Sequence, residues 1–63
     1  MFNEEAAKKM LEKKLGKKPE YIETTGPKPF GNGYFFKFVI KKNDGKEAYF
    51  VHDTGAVTPA PLN

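Results

Sequence analysis

The sequence predicts an α+β fold, an N-terminal helix packed on a three- to four-stranded antiparallel β-meander, and three observations predict it. Residues 3 to 15 carry apolar side chains at helical spacing. Residues 34–42 and 46–53 are aromatic and β-branched runs on either side of Asn43-Asp44-Gly45, and residues 20–25 have strand composition after Pro19. Sixty-three residues permit one domain, spanning 1–63. A chain this short buries only roughly 60% of the surface its unfolded form exposes, and without cysteine it has no disulfide to compensate. Its core must therefore come from aromatics, of which there are six Phe and three Tyr.

In the helix, Asn3 is a good N-cap, Glu4 and Glu5 suit the positive end of the dipole, and Gly16 stands at the usual stop position. Ala6, Ala7, Met10, Leu11 and Leu15 form its apolar stripe. Lys13, Lys14, Lys17 and Lys18 crowd the C-terminal end, where they complement the dipole or, alternatively, bind phosphate. The first strand, 20–25, is expected to pair antiparallel with 34–42. Between them, residues 26–33 hold three Gly and two Pro and read as an irregular loop, with Phe30 either folded back as a cap on the core or presented to a partner as an anchor.

The hairpin register decides which side chains share a face. A three-residue Asn43-Asp44-Gly45 loop, with Gly45 left-handed, pairs Lys41 with Glu47, Val39 with Tyr49 and Phe36 with His52. It collects Phe36, Phe38, Ile40, Ala48 and Phe50 as core. A two-residue Asp44-Gly45 loop would instead put Val39 and Phe50 on the face of Lys37 and Lys41. The first register is the expected one. Its second face then carries Phe35, Lys37, Val39, Lys41, Glu47, Tyr49 and Val51, apolar groups alternating with charges; either part of it lies under the helix or the proline loop, or it is ordinary scattered apolar surface, or it binds something. After His52, the turn Asp53-Thr54-Gly55 leads into an optional fourth strand at 56–58 and a tail, 59–63.

Little in the chain suggests catalysis. His52 is the only histidine and there is no serine or cysteine nucleophile, so triad chemistry, a closed zinc site and any bound cofactor are not expected. Asp53-Thr54-Gly55-Ala56 looks like the active-site motif of retropepsin-type aspartic proteases, whose chemistry needs two aspartates sharing a proton and hence a symmetric dimer. The chain is short for that family's barrel and flaps, and the triplet reads as a tight turn in which Asp53 bonds the backbone of Gly55 and Gly55 takes positive φ. Gly31-Asn32-Gly33 is no dinucleotide fingerprint, because a strand comes after it. No signal-peptide pattern or membrane-length apolar run is present, so a soluble cytoplasmic protein with no membrane partner is expected, although a domain excised from an exported precursor would look the same.

The order helix, strand, loop, aromatic strand, turn and strand, with Ala6 and Ala7 in the helix, Tyr34 opening the central strand, Asp44-Gly45 at the hairpin and Val51, Asp53, Thr54, Gly55 and Val57 at the end, resembles the PepSY domain. Small immunity proteins that protect bacteria from toxins finish in a similar way. Either resemblance implies a non-catalytic module that binds or inhibits another protein, with peptidases the usual partners of the first. The expected function is therefore a small protein-interaction or inhibitor module, binding another protein or a second copy of itself. Its contacts are Phe35, Val39, Tyr49 and Val51, its rim charges Lys37 and Lys41, and its loop anchor Phe30. The alternative is single-stranded nucleic acid, held by Phe35, Tyr49, Lys37 and Lys41 on the same face. Glu47 on that face, the modest net charge of +3 and the absence of Arg argue against it.

Overall fold

The computed structural model describes residues 1–62 and has an α+β architecture. One helix, α1 (Glu4–Leu15), lies on a four-stranded antiparallel sheet of β1 (Tyr21–Phe30), β2 (Gly33–Lys42), β3 (Gly45–His52) and β4 (Val57–Ala60), in the order β1-β2-β3-β4. The helix starts where Asn3 Oδ1 accepts the Ala6 N–H at 2.9 Å and ends where Gly16, at φ 75°, donates its N–H to Glu12 O. Ala7 and Leu11 are fully buried against Phe36, Phe38, Ile40 and Val51. Phe2 and Tyr21 close this cluster edge-on, their ring centroids each 5.4 Å from Phe36 and Phe38 respectively. Tyr21 also donates its hydroxyl to Glu12 Oε2 at 2.8 Å, and its partial burial and then that bond push its phenol pKa upward.

Three expectations are corrected. The segment 26–33 is not a loop: β1 runs on to Phe30, β2 begins at Gly33, and only Gly31 and Asn32 turn the chain. Prolines are tolerated because β1 is an edge strand, where an absent N–H need not break a ladder bond. The tail is shorter than expected for the same reason, since Pro59 and Ala60 belong to β4, the opposite edge; Asn63 lies outside the described residues. Both edges thus carry proline, which blunts the addition of a further strand.

The third correction is the hairpin register. Asn43 and Asp44 alone form the turn, Asn43 takes the positive φ (43°), and Gly45 pairs with Lys42. Asparagine tolerates this conformation, and a two-residue loop matches the strand twist. Phe38 therefore faces Tyr49, Phe36 faces Val51 and Phe35 faces His52. Tyr49 and Val51 turn to the helix, while Ala48 and Phe50, read as core-facing, turn away from it together with His52.

β1 contains the fold's most consequential irregularity. Thr25 pairs with Lys37 but Lys28 pairs with Phe35, so Gly26-Pro27, joined by a cis bond, adds one residue to β1 as a bulge. Gly26 has φ 134°, and a Cβ there would lie 2.9 Å from both Phe35 O and Phe36 Cδ1, so the position admits only glycine. The extra residue reverses the alternation of everything after it. An earlier shift between Tyr21 and Glu23 also adds one residue, so Lys28 and Phe30, which the alternation of Glu23–Thr25 would send toward the helix side, share the opposite face with Phe35 instead.

Candidate binding face

A helix of 12 residues is about 18 Å long and strands of 10 residues run about 33 Å, so α1 spans only part of one sheet face and leaves the other free. That free face is assembled from odd positions of β2, even positions of β3, Glu23 and Thr25 opposite Val39 and Lys37, and the residues β1 delivers past its bulge. Its central row is Phe35 beside His52 and Lys37 beside Phe50, then Val39 beside Ala48 and Lys41 beside Lys46. Val39 and Ala48 are each only 5% exposed although neither belongs to the core cluster, being enclosed by their neighbours on the sheet.

Four rings gather at one end. Phe35 meets Phe50 edge-on at 5.2 Å, and His52 lies 5.6 Å from Phe35. Phe30 completes the set at 5.2 Å from His52 and 6.2 Å from Phe35. Together they line an apolar depression of about 310 Å³. Past Phe30 and His52 it continues into a second depression of about 520 Å³, bounded by the Gly31-Asn32-Gly33 turn, Asp53, Thr54, Ala56 and Thr58. Phe30 is 65% exposed, so it does not cap the core; it stands at the rim of the depression as a projecting wall.

The wall is held by the neighbouring turn. Asp53 accepts the Tyr34 N–H on Oδ2 at 3.2 Å and donates its own N–H to Tyr34 O at 3.0 Å, which ties the β3–β4 turn to the start of β2. A Cβ on Gly33 would sit 2.5 Å from both Asp53 carboxylate oxygens, so glycine there is what lets the carboxylate approach. This corrects the expected turn chemistry, in which Asp53 bonded the backbone of Gly55. It is His52 O that accepts the Gly55 N–H, while Gly55 does take positive φ, 95°.

The other end of the face is cationic. Lys37, Lys41 and Lys46 have no carboxylate partner among the described residues, where the ion pairs are Lys8 with Glu4 at 3.0 Å and Lys42 with Glu47 at 2.8 Å. Lys41 and Lys46 stand directly opposite one another. The Asp53–Tyr34 bond marks even positions of β2 as hydrogen-bonded pairs, so Lys41–Lys46 is a non-hydrogen-bonded pair, the kind whose side chains come closest. Like charges so placed oppose the fold. The expected Lys41–Glu47 pair does not exist; Glu47 is on the helix side, where Lys42 and Tyr49 bond it. Those two bonds hold its carboxyl below the usual value, and the bond to Glu47 raises the Tyr49 phenol.

Of the residues read from the sequence as contacts, Phe30, Phe35, Lys37, Val39 and Lys41 thus fall on the free face. Tyr49 and Val51 fall on the helix side, where Val51 is fully buried and Tyr49 packs against the core. The residues missed are Lys28, Lys46, Phe50 and His52. A preference for two-residue hairpin loops would have found the last three; Lys28 was hidden because 26–33 read as a loop rather than as a continuation of β1. Among the described residues no group of three or more His, Asp or Glu side chains is placed to hold a metal ion, and no helix is long and apolar enough to cross a membrane. Compared with known proteins, the chain gives no significant match to a family model, a curated sequence or a solved structure.

Proposed function

We propose that the protein is a small non-catalytic interaction module, of the binding or inhibitor kind, that docks a protein partner on the free sheet face. The observation that carries this reading is the aromatic cluster of Phe30, exposed, and Phe35, Phe50 and His52, half-buried, on a face that α1 does not cover. A fold this small gains little by keeping four rings outside its core unless the surface they form is used. Proline in both edge strands disfavours partner binding by strand addition and leaves the face as the better surface. The PepSY-like order of elements points the same way.

Photo-crosslinking tests it. A benzophenone side chain at Phe50 should form discrete adducts with a cellular partner, and one at Lys9, exposed on the helix, should form none. Adducts from Lys9 alone would assign the function to the opposite side. A second reading, single-stranded nucleic-acid binding, is favoured by one observation: with Glu47 on the helix side, the free face holds Lys28 and Lys37 beside its rings and Lys41 and Lys46 beyond them, against Glu23. In that case affinity should fall steeply with salt.

A further inference from the structure

We infer that the segment docked on this face is acidic and carries one large apolar side chain, the apolar group entering the ring-lined depression and the carboxylates meeting Lys37, Lys41 and Lys46. This rests on the interaction-module reading and names the partner's chemistry. The argument is charge complementarity. Lys41 and Lys46 are held opposite each other at a cost to the fold, and Glu23, opposite Val39 on the same face, forms no ion pair with either, so an anion from outside gains what the fold does not supply. Lys37 stands directly opposite Phe50 and Lys28 directly opposite Phe35, while the Lys41–Lys46 pair lies two rows beyond Lys37, so the cationic end of the face adjoins its ring-lined end. An extended peptide with its anchor at one end and its carboxylates at the other spans both.

Two other occupants fit less well. A single strand of nucleic acid needs ring faces free for stacking, whereas Phe35 and Phe50 meet at 82° and Phe30 and Phe35 at 88°, each edge occupying a neighbour's face, and the Asp53 carboxylate borders the same end. A second copy docked about a two-fold axis would bring the same uncompensated lysines from both chains into one interface.

The test is selection from a phage-displayed library of random peptides about twelve residues long against the whole chain, followed by amide chemical-shift mapping with the synthetic winners. The expected result is enrichment of net-negative sequences with one Phe, Tyr, Trp or Leu, shifts at Phe35, Lys37, Phe50 and His52, and about tenfold weaker binding to Lys46→Glu with an unchanged circular dichroism spectrum. Neutral or basic winners that shift those same amides would overturn the acidic assignment while leaving the face as the binding surface. Winners that shift helix amides would overturn both. Shifts at the face produced by oligothymidylate, with no peptide enriched, would transfer the site to nucleic acid, and a selection with no enrichment and no oligonucleotide shift would likewise overturn the inference.

Discussion

The two faces of the sheet are built from the same two strands, and they solve opposite problems. On the helix side, Phe36, Phe38, Ile40 and Val51 are at most 3% exposed, no buried side-chain polar atom among the described residues lacks a partner, and Glu47 serves Lys42 and Tyr49 together. On the free side, the four rings of Phe30, Phe35, Phe50 and His52 remain half-exposed or exposed, and Lys41 and Lys46 confront one another with no carboxylate of the described residues paired to either. The difference teaches that alternation along β2 and β3 divides the chain between stability and interaction. The helix side holds the fold, and on the proposed reading the free side keeps its unfavourable features for a partner to relieve.

If that division is correct, truncations on the two sides should differ widely. Phe38→Ala, at a site with no exposure, should cost roughly 3–5 kcal/mol, enough to unfold much of a domain this small. Phe30→Ala, at a ring mostly in solvent, should cost under about 1 kcal/mol. Urea titration followed by circular dichroism reads both, and equal losses would break the comparison.

Gly26→Ala sharpens it by attacking the bulge that feeds the free face. The positive φ alone should cost roughly 1–3 kcal/mol, and relief of the contact with Phe35 O should shift β1 and pull Phe30 away from His52. Loss of the nuclear Overhauser contacts between those two rings, with the core contacts of Phe38 retained, is the expected signature.

Tyr21→Phe probes the helix side alone. It removes the bond to Glu12, at about 1 kcal/mol near neutral pH. Because the Tyr21 phenol holds its proton more tightly when folded, its contribution is fully present below the ordinary tyrosine pKa of 10.0 and is lost as pH climbs through the higher folded value. Wild type should therefore lose stability above about pH 10 more steeply than the variant, as urea midpoints across that range would record.

The elements were legible in the sequence because their signals are local. Asn3 and Gly16 bound the helix, and the alternating runs around Asn43-Asp44-Gly45 mark the hairpin. The site was legible in part, since its β2 residues can be placed by alternation within one strand. The hidden part depends on counting residues across a turn or a bulge. Asn43-Asp44-Gly45 offers several loops, and a choice based on total hydrophobicity favoured Phe50 for the core over Val51, although Tyr49 can bury its ring beside the helix while its hydroxyl reaches Glu47. Likewise Gly26-Pro27 reads as loop chemistry, and only the pairing of Lys28 with Phe35 reveals that it belongs to a strand and re-aims the side chains of Lys28 and Phe30.

The smallest expected change in stability carries the most information. Replacing Lys41 by Glu removes a like-charge pair and creates an opposite-charge one, so it should stabilise the chain by about 0.2–1 kcal/mol. The same substitution should weaken binding of the partner segment about tenfold. The measurement to make is therefore Lys41→Glu, with its urea midpoint and its affinity for the selected acidic peptide determined side by side. A higher midpoint with weaker binding is the result predicted. A lower midpoint, or unchanged affinity, would contradict the claim that this face is kept strained for a partner.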